Sequence, residues 1–179
     1  MNGTISKQEA KVLYEENIIY IYRAALFLTK SKELAEDISQ EVFIRAFDKY
    51  HTFDMTKPVR PWLYQIMLNM VRSYYRKNIF HIHLEALTKL PQDETDFIEQ
   101  DFLKKEEDRY LWHKISTLSL KLREVLVLHF YMDMTLEEVA QILKIPLGTC
   151  KSRLNAALTK LRQDEEIKNI TYLLGGREL

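Results

Sequence analysis

Apolar residues recur at three- and four-residue intervals along most of this chain, in blocks separated by short polar breaks, a pattern that predicts helices throughout. Over residues 7–29, Val12, Leu13, Ile18, Ile19, Tyr22, Ala25 and Leu26 fall at helical spacing and are expected to face inward. Ser31 is placed to cap a second helix that runs to about Lys49, with Leu34, Ile38, Val42, Phe43, Ala46 and Phe47 as its core stripe. The opposite face of that helix carries Asp37, Gln40, Glu41 and Arg45, a spacing that by itself fits a plain solvated surface. The polar break HTFDMTKPVRP follows, where Pro58 and Pro61 forbid a continuous helix and Pro61 suits a first helical position. A third helix is expected through Trp62, Leu63, Ile66, Met67, Met70, Val71 and Tyr74. Periodicity then fades over residues 78–101, which reads as a linker. It returns in helices over about 106–118 and 120–132, with Tyr110, Leu111, Ile115, Leu122, Val125, Leu126 and Phe130 as core.

The sharpest signal is the last one, residues 135–162, TLEEVAQILKIPLGTCKSRLNAALTKLR. Thr135 and Glu138 form a capping-box pair that starts one helix, with Leu136, Val139, Ala140 and Leu143 inward. Ile145, Pro146 and Gly148 interrupt it, and Thr149 is placed to cap the next helix, where Leu154, Ala157, Leu158 and Leu161 share a stripe. The other stripe of that second helix holds Ser152, Asn155, Ala156 and Thr159, flanked by Lys151, Arg153 and Lys160. Small and amide side chains bounded by cations suit a DNA major groove, with cations on phosphates and Asn or Ser on base edges. The arrangement is that of a helix-turn-helix.

Composition narrows the fold class. The chain has 179 residues, 46% apolar, with only four Gly and four Pro, which favours an all-α protein of two small helical domains joined by an acidic linker. Its longest apolar runs fall far short of the roughly 20 residues that span a bilayer, and MNGTISKQEAK lacks the apolar core of a signal peptide, so a cytoplasmic protein without membrane insertion is expected. The single cysteine, Cys150, excludes an internal disulfide and reads as a small buried residue. His81 and His83 form a His-x-His pair, by itself a weak metal signal, so no metal and no cofactor is expected.

Charge sums to zero but is unevenly spread. Residues 55–84 carry Lys57, Arg60, Arg72, Arg76 and Lys77 without an acid, and residues 144–162 carry five cations without an acid. Between them, residues 93–108 hold eight acids against Lys104 and Lys105. Patches this small confer only non-specific DNA affinity of about 10⁻⁴ to 10⁻⁶ M, so useful binding calls for a larger partner. In the first basic stretch, aromatics among His51, Phe53, Trp62 and Tyr64 could stack on unpaired bases while the cations follow the backbone; Trp62 also fits ordinary core. Stacking returns about 1 to 3 kcal/mol per base, comparable to the cost of unstacking a duplex step. No Gly-rich phosphate loop, no Glu-x-x-His ligand pair and no nucleophile-base set is present, which leaves enzyme classes without support.

In order, AEDISQEVFIRAF, RPWLYQIMLNMVRSYYRK, the acidic linker and LREVLVLHFYMDMTLEEVAQILKIPLGTCKSRL resemble a bacterial RNA polymerase sigma factor of the extracytoplasmic function group, from about Leu13 to Arg162. The resemblance implies sigma region 2 over residues 1–80, a linker over 81–105, region 4 over 106–170 and a tail over 171–179. It implies a non-catalytic subunit that binds core RNA polymerase and promoter DNA, serves a stress or envelope-type regulon, and is held in check by an anti-sigma factor, often membrane-anchored. Asp37, Gln40, Glu41 and Arg45 would dock on a coiled coil of the polymerase clamp. His51, Phe53, Trp62, Tyr64, Asn69, Arg72, Arg76 and Lys77 would serve melting and the minus-ten element. Lys151, Ser152, Arg153, Asn155, Ala156, Thr159 and Lys160 would read the minus-thirty-five element. Departures from the family pattern are Ser73 for a common Asp, Ser119 for a frequent Pro, Lys144 for a frequent Gly, and the small Asn155 and Ala156 in the groove face. A helix-turn-helix regulator acting without sigma activity is the alternative, favoured by the C-terminal half alone.

Overall fold

A computed structural model describes residues 5–78 and 113–162, which fall in two compact units divided after Glu94. The expected linker 81–105, its acids, His81 and His83, the core positions Tyr110 and Leu111, and the tail 171–179 lie outside the described residues. Every described element is helical or a turn.

The first unit is built from α1 (Lys7–Thr29), α2 (Lys32–Lys49), a single 3₁₀ turn (Tyr50–Thr52) and α3 (Val59–Lys77). Ser6 and Glu9 close a capping box on α1: the Glu9 amide donates to the Ser6 hydroxyl at 3.2 Å and the Ser6 amide to the Glu9 carboxylate at 2.9 Å. That pairing holds the Glu9 carboxyl below its usual range, the Ser6 side chain contributing most. Lys30 ends α1 in the left-handed region, and Ser31 caps α2 by accepting from the Leu34 amide at 3.2 Å.

The buried residues of α1 are Leu13, Asn17, Ile21, Ala24, Ala25, Leu26, Leu28 and Thr29, so Leu13, Ala25 and Leu26 face inward as the sequence pattern suggests while the rest of the face is shifted. Val12 and Ile19 are exposed at 41% and 56%, and Ile18 and Tyr22 are half-buried. Two features conceal the true stripe: α1 carries apolar residues on every side, and a polar residue sits in its middle. Asn17 can be buried because its amide donates to the Leu13 carbonyl at 2.9 Å and its oxygen accepts from Arg60 Nε at 3.3 Å. The Arg60 guanidinium also lies 4.0 Å over the Tyr20 ring. A second tie is the Tyr75 hydroxyl, 3.1 Å from the Leu28 carbonyl and 3.2 Å from that of Thr29.

Ala35, Ile38, Ser39, Val42, Phe43 and Ala46 are the buried residues of α2, while Leu34 and Phe47 are half-buried. Small residues on both helices, Ala24, Ala25, Ala35 and Ala46, let the backbones approach. Pro58 caps α3, so Pro61 is its third residue rather than its first; neither position needs an amide, since first-turn amides have no intrahelical partner. Leu63, Tyr64, Met67, Leu68 and Val71 fill the core from α3, each large apolar side chain contributing roughly 1.5–3 kcal/mol by leaving water.

The second unit begins with helical residues 113–117 and continues as α4 (Leu120–Leu126), a π-helical turn (Val127–Tyr131), α5 (Leu136–Leu143) and α6 (Leu147–Arg162). The expected helix over 120–132 is present, but its last turns widen: the Met132 amide bonds the Val127 carbonyl at 3.0 Å, five residues back. Ile115, Leu118, Val125, Leu126, Val127, Leu128 and Phe130 are buried, and Leu122 is half-buried. Arg123 is buried among them and donates from Nη1 to the Ser116 carbonyl at 3.3 Å. The Thr135–Glu138 capping box forms as expected, with bonds of 3.2 and 2.8 Å. Val139, Ala140, Ile142 and Leu143 are buried and Leu136 half-buried. Lys144 ends α5 at φ 55°, the left-handed conformation that favours glycine. Helix α6 starts at Leu147, so Thr149 lies inside the first turn and is not its cap; the Pro146 carbonyl accepts from the Cys150 amide at 3.0 Å.

Candidate polymerase and nucleic-acid interfaces

Three surfaces come from the elements above. On α2, Asp37, Gln40 and Arg45 are exposed and Glu41 is half-buried, all opposite the core stripe. Arg45 Nε bonds Glu41 Oε1 at 2.7 Å across one helical turn. Glu33 and Asp48 extend the acidic character at either end. Sequence reasoning missed Ile44, which stands 56% exposed in the middle of this polar face. The available signal was its position: Ile44 follows two core residues, Val42 and Phe43, but points half a turn away from the stripe they join.

The second surface is the connection into α3 and the outward side of that helix. His51 is exposed. Phe53 and Trp62 are half-buried and packed on one another with ring centroids 4.9 Å apart, and Tyr50 lies 6.1 Å from the first and 6.4 Å from the second. Asp54 ties the following turn: its carboxylate accepts from the Thr56 hydroxyl at 2.7 Å and the Thr56 amide at 3.1 Å, and Lys57 Nζ lies 3.5 Å away. These contacts, the Thr56 hydroxyl first, hold the Asp54 carboxyl below its usual range. Met55, at the tip of this turn, is 62% exposed.

Tyr64 is corrected as a base-stacking candidate. It is 1% exposed and belongs to the core, because α3 buries a stripe two residues wide on which Leu63 and Tyr64 sit side by side. Trp62, Gln65, Asn69 and Arg76 instead follow the outward face, with Gln65 Nε2 donating to Asn69 Oδ1 at 3.4 Å. Arg72 is half-buried, and Arg76 and Lys77 are exposed in the last turn, where cations also complement the helix dipole. Arg60, counted with the basic stretch, is engaged by Asn17 and Tyr20.

The third surface is α6. Lys151, Ser152, Asn155, Ala156, Thr159 and Lys160 are exposed and Arg153 is half-buried, while Cys150, Leu154, Ala157, Leu158 and Leu161 hold the helix down. Gly148, also exposed, has no atom within 4 Å of where a Cβ would stand, so the N-terminal end of this face is open. Asn155 is exposed and carries an amide, the group whose oxygen and NH2 can pair with an adenine edge. Cys150 is inert by position, its thiol pushed up chiefly by burial, with Glu137 adding and Arg153 opposing. Among the described residues no group of three or more His, Cys, Asp or Glu could hold a metal ion, and no helix is long and apolar enough to cross a membrane.

Comparison with known proteins falls on the same two units. Residues 13–79 match the family profile "Sigma-70 region 2" and residues 115–163 match "Sigma-70, region 4". The chain is 32% identical over 152 residues to the ECF RNA polymerase sigma factor SigW of Bacillus subtilis, covering 80% of this chain and 81% of SigW. This chain belongs to the ECF sigma factors. SigM of the same organism is 30% identical over 152 residues, with 84% and 91% covered. In fold, this sigma factor is similar to the sigma factor RpoE solved in complex with the anti-sigma factor NepR from Bartonella quintana, with TM-score 0.73 and 21% identity over 89% of this chain and 98% of the other. It is also similar to CnrH, solved with the cytosolic domain of CnrY, with TM-score 0.65 and 21% identity over 92% of each chain. Membership makes the chain a transcription-initiation factor, and the alternative of a helix-turn-helix regulator without sigma activity is not favoured.

Proposed function

We propose that this ECF sigma factor binds core RNA polymerase through the outward face of α2, helps open promoter DNA with the 51–62 connection and the outward face of α3, and reads an upstream element with α6. It acts in the cytoplasm and contributes no catalytic residue; nucleotidyl transfer belongs to the polymerase. The domain assignment follows: residues 1–80 for docking and opening, 81–105 as linker, 106–170 for the upstream element, 171–179 as tail. The observation that carries this reading is the sorting of charge by surface. Asp37, Glu41 and Asp48 lie on the outer side of α2, whereas Arg76 and Lys77 end α3 and Lys151 and Lys160 edge α6. An acidic face suits a basic protein partner and repels DNA, and the cationic faces do the reverse. Neither basic patch is large enough for tight binding, which fits a factor whose affinity for promoters is supplied by polymerase.

An anti-sigma factor is the inferred regulator, since the relatives RpoE and CnrH were solved with NepR and with the cytosolic domain of CnrY. The test is to sequence transcript starts made in vitro by core polymerase with and without this chain. New starts sharing upstream elements are expected only when it is present; an unchanged set of starts across a broad set of bacterial templates refutes the reading. Copurification with core polymerase separates it from a stand-alone regulator.

A further inference from the structure

The α2 face carries more than charge. Ile44 is 56% exposed, yet the positions around it on the outward side are Asp37, Gln40, Glu41 and Asp48. Nothing in the fold requires isoleucine there. Val42, Phe43 and Ala46 already supply the core contacts of that turn, and a β-branched residue is a poorer helix former than the residues usual on a solvated face. A single apolar side chain ringed by polar ones is the layout of an interface anchor, where the centre is desolvated and the rim stays wet. The second peculiarity is Arg45. Its Nε sits 2.7 Å from Glu41 Oε1, so the one cation within the face neutralises an acid of the same face.

Resting on the polymerase-binding reading, we propose that Ile44 is the apolar anchor of the docking face and that Arg45 weakens docking by holding Glu41 in an intrahelical pair. The occupant is a cationic surface of the polymerase, as the acidic rim of Asp37, Glu41 and Asp48 requires, with a small apolar patch opposite Ile44. Cations complement Asp37, Asp48 and, once the pair opens, Glu41. Because both partners of the pair are about half exposed (49% and 41%), a cation from outside can displace Arg45 at small cost, worth about twofold to fivefold in affinity. The two devices differ in kind. An apolar anchor is insensitive to salt, whereas carboxylate contacts weaken as salt rises.

That difference supplies the test. The full-length chain is titrated with core polymerase at low and high salt, with thermal unfolding followed by circular dichroism as the control for folding. Ile44→Ala should weaken binding about tenfold at both salts while leaving unfolding unchanged, and Ile44→Leu should restore most of the loss. Arg45→Gln should tighten binding about twofold to fivefold and steepen the salt dependence, and Asp37→Asn should weaken binding and flatten it. Wild-type affinity in Ile44→Ala overturns the anchor. Weaker binding in Arg45→Gln overturns the restraint and makes Arg45 a direct contact. Failure of the wild-type chain to bind core polymerase at all is a separate outcome, and it sinks the sigma reading together with this one.

Discussion

The two units of this sigma factor treat apolar surface in opposite ways. Among the described residues, every large apolar side chain that stands exposed belongs to the first unit: Val12, Tyr14, Ile19, Tyr20, Ile44, Met55 and Tyr74. Among its described residues the second unit exposes none of this kind, and it presents α6 as small, amide and cationic side chains. Each pattern matches a different kind of partner. Protein docking and contact with unpaired bases both reward apolar surface that loses water on binding, whereas a duplex groove offers phosphates and base edges that reward polar groups. On the proposed function, the contrast would divide labour, with the first unit suited to a protein surface and opened strands and the second to intact duplex.

The largest expected effect tests whether aromatic content or exposure defines the first unit's working surface. Tyr64 lies in the aromatic-basic segment but is buried, so Tyr64→Ala should cost about 3–5 kcal/mol in chemical denaturation, as truncation of a large core aromatic does. A variant that keeps full stability and loses only promoter opening would return Tyr64 to the DNA-facing set. Next in size is the second unit's face. Asn155→Ala should leave unfolding unchanged and shift upstream-element preference, with about 1–3 kcal/mol of discrimination lost at one base pair. Competition among randomised upstream sequences in the presence of core polymerase reads this out, and an unaltered preference removes Asn155 from base contact.

How much of this was legible in the sequence depended on whether apolar and polar stripes overlapped. Helix α6 keeps them apart, and α2 does so except at Ile44, so the sequence pattern alone places Ile38, Val42, Leu154 and Leu158 inward and Asp37, Gln40, Asn155 and Thr159 outward. Helix α1 mixes them. Its buried centre is a hydrogen-bonded asparagine and its outward side holds Val12 and Ile19, so periodicity alone finds Leu13, Ala25 and Leu26 but misses Asn17, Ile21 and Leu28 and turns Val12 and Ile19 inward. Tyr64 was misassigned for a related reason: when consecutive residues are all apolar or aromatic, spacing cannot say which of two neighbours the helix turns inward. The Glu41–Arg45 pair follows from i, i+4 spacing, but the isolation of Ile44 among polar neighbours needed side-chain exposure to become visible. A cap at Thr149 would start α6 three residues late, and the sequence suggests it because Thr149 is a good capping residue. Here the chain enters the helix directly after Pro146, without a side-chain cap at Thr149.

A smaller effect belongs to the turn of the second unit. Lys144 holds φ 55° and ψ 48°, a conformation that costs a residue with a Cβ about 1–2 kcal/mol, while glycine adopts it freely but loses more chain entropy on folding. Lys144→Gly should therefore raise the stability of the unit by about 1 kcal/mol, seen as a higher denaturation midpoint. It also deletes a cation exposed beside the start of α6, so any accompanying loss of promoter affinity should shrink at high salt. A lowered midpoint would mean that the lysine side chain stabilises the turn more than its backbone strain costs.

The smallest effect is a pH dependence confined to the first unit, where Glu9, Glu33 and Asp54 are all held below the usual carboxylate range by hydrogen bonds from nearby side chains or backbone. A group whose folded-state value is depressed adds stability that is fully present above its unfolded value and is lost as pH falls through the folded one. For Asp54 the Thr56 hydroxyl and amide are the main causes, so acidification below the ordinary aspartate range should release the turn that follows Phe53. Phe53 packs on Trp62, which makes Trp62 emission the reporter, read with Trp112 replaced by Phe so that a single indole remains. Emission should change as pH falls through the lowered Asp54 value, and Asp54→Ala should show the acid-form emission already at neutral pH. All three groups are fully exposed, so the shift in overall stability should be slight and the local signal should dominate. An emission profile identical in the two chains would show that the Phe53–Trp62 contact stands without the turn, and would make the 51–62 connection rigid on its aromatic packing alone.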